Sequence, residues 1–213
     1  MTSPKAPNLD DLPRLSAEER AARRLVPPPG EDFWVFGYGS LMWHPGFPHV
    51  EVRIARVRGL HRSFCVYSHR YRGTPEAPGL VLGLDRGGDC EGMVFRVPAA
   101  EGAAVLDYLD EREMVTGVYH PTWCEAETEA GAVTALAYVA DREHRQYAGG
   151  LDHDAMVALI LQGRGANGLC LEYLENTVRH LHALGIHDAA LERLLEEAER
   201  LRAARGQEGK DPT

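Results

Sequence analysis

The chain has 213 residues, 44% of them hydrophobic and 26% charged, with a formal net charge of −9. Length and hydrophobic share fit one compact domain with tails, and the acid excess excludes a surface built to follow nucleic-acid phosphates. The opening Met1 to Leu15 interleaves Pro, Lys, Asp and Arg without an apolar stretch, and no run of about 18 apolar residues occurs, so neither a secretory leader nor a spanning helix is expected. These features predict a cytosolic protein without a membrane partner. The four cysteines, Cys65, Cys90, Cys124 and Cys170, lack C-x-x-C spacing and read as reduced structural thiols.

Residues 1–30 are expected to form a flexible arm, because the charged run Ala17 to Arg24 leads into Pro27-Pro28-Pro29-Gly30, where helix and strand are both costly. A domain over 31–205 follows, with a tail at 206–213. Phe33-Trp34-Val35-Phe36 is a short apolar run ending in glycine and reads as a buried strand feeding a tight turn. Further strands are predicted at Val50–Val57, Ser63–Tyr67, Leu80–Leu84, Gly92–Val97, Tyr119–Ala126 and Val133–Val139, most of them rich in β-branched or aromatic residues. Between the last two pairs, Pro98 to Leu109 carries Val105, Leu106 and Leu109 at helical spacing.

Past residue 150 the period becomes helical. Asp152 can cap a helix bearing Met156, Leu159 and Ile160, and Gly163 can end it. Leu171, Leu174, Val178 and Leu181 define a second helix stopped by Gly185, and Leu191, Leu194, Leu195, Ala198 and Leu201 a third after Asp188. Strands first and helices afterwards predict an α+β single domain: a small mixed β-barrel or curved sheet flanked by helices, with the C-terminal segment helical.

Three segments could carry chemistry. Gly37-Tyr38-Gly39-Ser40-Leu41 puts two glycines directly after a strand, which lets backbone approach a ligand and aim N–H groups at an anion. The dinucleotide fingerprint fails here, since Met42-Trp43-His44-Pro45 follows, and the G-x-S-x-G nucleophile elbow fails at Tyr38 and Met42. Asp110-Glu111-Arg112-Glu113 sits at an element boundary, and the two-residue spacing of Glu111 and Glu113 lets at most one of them point inward on a helix. Arg72, in Tyr71-Arg72-Gly73-Thr74-Pro75, could offer a guanidinium to a carboxylate. The histidines show no H-E-x-x-H or facial-triad spacing, so no metal is expected.

Together these segments resemble the ChaC-type, glutathione-specific γ-glutamylcyclotransferases. The resemblance runs from about Phe33 to Leu184 and rests on Val35 to Leu41, Arg72-Gly73-Thr74-Pro75 with Pro78-Gly79, Cys90-Glu91-Gly92, Tyr108-Leu109 with Arg112-Glu113, Tyr147, and Glu172-Tyr173-Leu174. It implies a γ-glutamylcyclotransferase-like barrel without metal or nucleotide cofactor, acting on glutathione as a monomer or weak dimer. It further implies that Val35, Phe36, Gly37, Tyr38, Gly39, Ser40 and Leu41 hold the γ-glutamyl group, that Arg72 and Tyr147 stand near the substrate, and that Glu113 is the proton acceptor. Cys170 stands where the family often has Asn. In the implied reaction the substrate's α-amine attacks its own γ-carbonyl, giving 5-oxoproline and Cys-Gly. Such a base must be stronger than free glutamate, and burial beside Met114 and Val115 would raise it. A cyclotransferase for other γ-glutamyl amino acids or amines, a non-catalytic γ-glutamyl-binding module and a Ser40 hydrolase are the alternatives.

Overall fold

A computed structural model describes residues 7–208, and its internal contacts divide the chain into two compact units. The first contains residues 11–63 and 82–147, and the second residues 7–10, 64–81 and 148–208.

The first unit is built on β1 (Phe33–Gly37), β2 (Glu51–Ser68), β3 (Gly79–Val97), β4 (Tyr119–Thr128) and β5 (Gly131–Ala140), which close into a barrel in the order β1-β3-β2-β4-β5. The far ends of β2 and β3 belong to the second unit. The sheet is mixed: β1 runs antiparallel to β3 with Val35 opposite Phe95, but parallel to β5 with Val35 opposite Leu136. β4 and β5 form a hairpin from Tyr119–Ala140 to Thr128–Gly131. Val35, Phe36, Leu84, Val94 and Leu136 are fully enclosed, which explains why β1 reads as an unbroken apolar run rather than an alternating one.

Two differences from the expected elements have physical causes. The strands predicted at Val50–Val57 and Ser63–Tyr67 are one strand, β2, and those at Leu80–Leu84 and Gly92–Val97 are one strand, β3. Glycines inside the long strands bend them: Gly59 has φ 77° and Gly87 φ 98°, values that let a strand kink without ending. The helix predicted at Pro98–Leu109 starts as a short 3-10 turn at Ala99–Glu101, and the α-helix spans Gly102–Glu113. Its charged end, Asp110 to Glu113, continues the helix because Asp110 prolongs the inward stripe of Val105, Leu106 and Leu109.

The arm is more ordered than its composition predicts. Ala17–Arg23 is the helix α1, and the Gly102–Glu113 helix is therefore α2. Ser16 caps α1 in a reciprocal box, accepting from the Glu19 N–H at 3.1 Å while Glu19 accepts from the Ser16 N–H at 2.7 Å. Leu12 and Leu15 are buried, and the Leu15 N–H donates to the Val115 carbonyl at 2.9 Å. Residues 1–6 of the expected arm lie outside the described residues.

In the second unit, α3 (His153–Gln162) is capped by the Asp152 carboxylate, which accepts from the Ala155 N–H at 2.8 Å. A two-strand ribbon, β6 (Arg164–Gly165) and β7 (Gly168–Leu169), leads into α4 (Cys170–Ala183) and then α5 (Ala189–Glu208). Leu159, Ile160, Leu174, Leu181, Leu191 and Leu194 are buried, so the three predicted amphipathic faces make one core. α5 continues past the expected start of the tail at 206, and residues 209–213 lie outside the described residues. Cys65, Cys90, Cys124 and Cys170 all stand outside disulfide bonds. Cys170 is enclosed, with its Sγ 3.0 Å from the Leu80 carbonyl and 3.3 Å from the Leu80 N–H, and burial pushes its pKa up to about 11. Among the described residues no helix is long and apolar enough to cross a membrane.

Candidate active site

The site in the first unit starts with the end of β1. Gly37 closes the strand, and after it Ser40–Met42 makes one 3-10 turn, with the Met42 N–H donating to the Gly39 carbonyl at 2.9 Å and the His44 N–H to the Ser40 carbonyl at 2.8 Å. The N–H groups of Ser40 and Leu41 thus occupy the N-terminal end of the turn, where helical backbone donors have no partner of their own. Val35 and Phe36 have fully buried side chains, so any part they take in binding a ligand falls to backbone. Gly92 on β3 lies against this loop, and a Cβ there would sit 2.4 Å from the Gly37 carbonyl oxygen and 2.8 Å from the Phe36 ring. That contact accounts for Gly92 among the sequence signals.

Glu113 ends α2, four residues after the fully buried Leu109 and three after Asp110. This spacing turns it inward, and its side chain is 17% exposed, whereas Glu111 lies on the exposed face. The Arg112 guanidinium joins the acid to the glycine loop. It sits 3.1 Å from Glu113 Oε1 and donates to Ser40 Oγ at 2.9 Å, to the His44 carbonyl at 2.7 Å and to the Tyr108 hydroxyl at 2.7 Å. Burial raises the Glu113 pKa above the ordinary glutamate range, and Arg112 partly offsets that rise. Met114, next in the chain, is fully buried.

Below the loop lies a residue that the sequence reading passed over. Arg62 is 4% exposed, and its guanidinium donates to the Tyr38 carbonyl and, at 2.5 Å, to the Glu91 carbonyl, joining the glycine loop to β3. The signal was present in β2, where Arg62, Phe64 and Val66 recur at period two and so face the same way. Asp110, read from the sequence only as part of its charged cluster, is 2% exposed, pairs with Arg24 at 2.6 Å and accepts from the Tyr138 hydroxyl at 3.4 Å. Tyr138 also accepts at its carbonyl from the Tyr38 hydroxyl at 3.1 Å, and burial, Asp110 and Glu113 together push its phenol pKa up. Tyr38, Tyr138, Asp110 and the acidic end of α2 are therefore one connected group.

The remaining two candidates have polar partners of their own. The Tyr147 hydroxyl donates to Asp85 Oδ2 at 2.7 Å, and Arg142 donates to the other oxygen of the same buried carboxylate at 2.7 Å. Arg72 belongs to the second unit, where it donates to the carbonyls of Asn167 and Leu169 and lies 5.2 Å over the Tyr173 ring. Its fork braces the β6–β7 ribbon rather than standing free for a carboxylate.

A closed mixed barrel with a half-buried acid at a helix end beside a glycine loop defines the site, and known proteins are similar to this chain. The family model described as ChaC-like protein matches residues 33–201. A glutathione-specific gamma-glutamylcyclotransferase of Escherichia coli strain K12 is 36% identical over 193 residues, covering 88% of this chain and 84% of the relative. A glutathione-specific gamma-glutamylcyclotransferase 1 of Mus musculus is 38% identical over 146 residues, 66% of each chain. A crystal structure of a γ-glutamylcyclotransferase specific to glutathione from yeast superposes with a TM-score of 0.74 over 79% of this chain and 96% of that one, and at 22% identity it speaks for the fold. The chain belongs to the ChaC-like family.

Proposed function

We propose that the protein is a glutathione-specific γ-glutamylcyclotransferase of the cytosol, with Glu113 as the catalytic acid–base group and the loop from Val35 to Leu41 as the γ-glutamyl cradle. The observation that carries this reading is the Arg112 bridge, which fixes a half-buried carboxylate of raised pKa against the glycine loop. Glutathione binds with its γ-glutamyl group folded back so that the α-amine reaches the γ-carbonyl. Glu113 takes a proton from the ammonium, and the freed amine forms the ring C–N bond. As the amide C–N bond breaks, Glu113 returns the proton to the departing Cys-Gly nitrogen, the ring nitrogen sheds its second proton to become the lactam N–H, and the released amine takes up one proton to become an ammonium, so 5-oxoproline and Cys-Gly form and no water is consumed. The N–H groups of Ser40 and Leu41 supply donors for the substrate carboxylate or the developing oxyanion, a contribution of about 3–4 kcal/mol per well-aimed donor to oxyanion. Holding amine and carbonyl in contact supplies much of the remaining rate, since oriented intramolecular attack has a very high effective molarity.

Comparing release of 5-oxoproline from glutathione and from γ-glutamyl-alanine tests the substrate. Strong preference for glutathione is expected, and equal turnover would move the assignment to a general γ-glutamyl cyclotransferase.

Arg112→Lys keeps the charge but gives up the planar fork that joins Glu113 to the glycine loop. The expected loss is roughly 10- to 100-fold in kcat/KM with the fold kept, the scale of a misplaced catalytic group; circular dichroism and steady-state kinetics check it.

The raised Glu113 pKa has two consequences with opposite signs. The base acts only when ionised, so kcat/KM falls as pH drops through a value above the ordinary glutamate range. For stability, the folded chain holds a proton that the unfolded chain has already lost, so Glu113 favours folding at low pH, and this contribution fades as pH rises through the window between the two values. Glu113→Gln is therefore expected to unfold at a higher midpoint than the wild type near neutral pH, with the difference vanishing below the ordinary glutamate range.

A further inference from the structure

We propose that His182, His187 and Glu192 form a site for a divalent transition metal, zinc above all, at the turn joining α4 to α5. His182 stands in the last turn of α4, His187 in the connection and Glu192 in the first turn of α5. One ligand atom from each lies within 4.8 Å of the other two. Glu192 Oε1 is 2.6 Å from His182 Nε2 and 3.2 Å from His187 Nδ1, and the two imidazole centroids are 4.9 Å apart. Around a tetrahedral zinc with ligand bonds near 2.0–2.1 Å, neighbouring ligand atoms stand about 3.3 Å apart. Reaching that from the present positions takes only small side-chain rotations.

The backbone that carries these groups is already fixed. The Gly185 N–H donates to the His182 carbonyl at 3.0 Å and the Ile186 N–H to the Leu181 carbonyl at 2.9 Å, closing α4. Asp188 opens α5, its carbonyl accepting from the Glu192 N–H at 2.9 Å and its carboxylate from the Leu191 N–H at 3.2 Å. Leu181, Ile186 and Leu191 are buried around the turn. Binding an ion would therefore order side chains alone, and the two imidazoles, 45% and 73% exposed, need no burial to reach it.

Two imidazoles and one carboxylate suit zinc, copper or nickel rather than calcium or magnesium, which want oxygen ligands. Three protein ligands on an open surface leave water to complete the shell. The bound ion would cross-link α4 to α5, a structural role independent of the cyclotransferase reading. The sequence rules miss the site because its ligands are five residues apart, a spacing that puts them on different faces of one helix and brings them together only across a turn.

The test is calorimetric titration of zinc chloride into the full-length, chelator-treated protein without glutathione. The expected result is saturable uptake at one site, undiminished by excess calcium or magnesium, with a higher unfolding midpoint. His187→Ala and Glu192→Gln should each weaken binding roughly tenfold or more, since even residues behind metal ligands matter on that scale. His182→Ala/His187→Ala should abolish it while leaving metal-free cyclotransferase turnover unchanged. No saturable uptake by the wild type, or the same uptake by the double variant, would overturn the proposal.

Discussion

Glu113→Gln is expected to lose 5-oxoproline formation from glutathione by about 10²- to 10⁴-fold while folding normally, the usual scale for a missing general base. Gln keeps the shape and can still accept from Arg112, so the variant removes proton transfer and little else. Glu111→Gln is the control, because Glu111 lies on the exposed face of α2 and should keep near-wild-type turnover. Active Glu113→Gln together with inactive Glu111→Gln would reverse the assignment. Since a neutral side chain at 113 is also expected to raise the unfolding midpoint near neutral pH, lost activity with gained stability separates a missing base from damage to the fold.

The largest effect on stability is expected at Arg24→Gln. Arg24 follows α1, and its guanidinium reaches Asp107 at 2.6 Å and the enclosed Asp110 at 2.6 Å. Asp107 is exposed, and its share is small, as for any surface ion pair. Asp110 is different: without Arg24 its carboxylate stays buried and loses its cation, a change that typically costs 3–5 kcal/mol. A loss of about 3 kcal/mol is expected for Arg24→Gln, corresponding to a midpoint lower by roughly 6–12 °C for a chain of this size. Arg24→Gln/Asp110→Asn should recover most of it, since no uncompensated charge remains. Thermal unfolding of the two variants checks the pair, and an unshifted midpoint in the single variant would show that Asp110 does not depend on the arm.

Much of the fold can be read from patterning because the core obeys simple periods. β1 is an unbroken apolar run, buried at every position but Trp34, and α3, α4 and α5 bury Leu159, Leu171, Leu174, Leu181, Leu191 and Leu194, with Leu195 and Leu201 half-buried. Strand boundaries inside β2 and β3 are harder to read, because glycine is used there to bend a strand as well as to end one. Closure of the barrel is invisible locally, since it depends on parallel pairings of β5 with β1 and β3 across long separations.

The candidate site divides the same way. Family resemblance points to the glycine loop and Glu113, and helical geometry separates Glu113 from Glu111 only once α2 is seen to continue past Leu109. Arg62 is passed over, and Asp110 gets no role beyond its cluster, because composition treats a charged residue as solvated, whereas here each is buried among partners from distant segments. Arg72 and Tyr147 were expected near the substrate, and the structure gives their polar ends to a ribbon and to Asp85. Local sequence carries no information on which of several polar neighbours a side chain will choose.

The central claim is tested most directly by incubating the purified protein with glutathione in ¹⁸O-labelled water and quantifying every product. The cyclotransferase reading predicts 5-oxoproline and Cys-Gly in equal amounts, with no label in either and no free glutamate. Labelled glutamate in place of 5-oxoproline would mean hydrolysis through an activated water, and intact glutathione would mean a binding module; either result would contradict it.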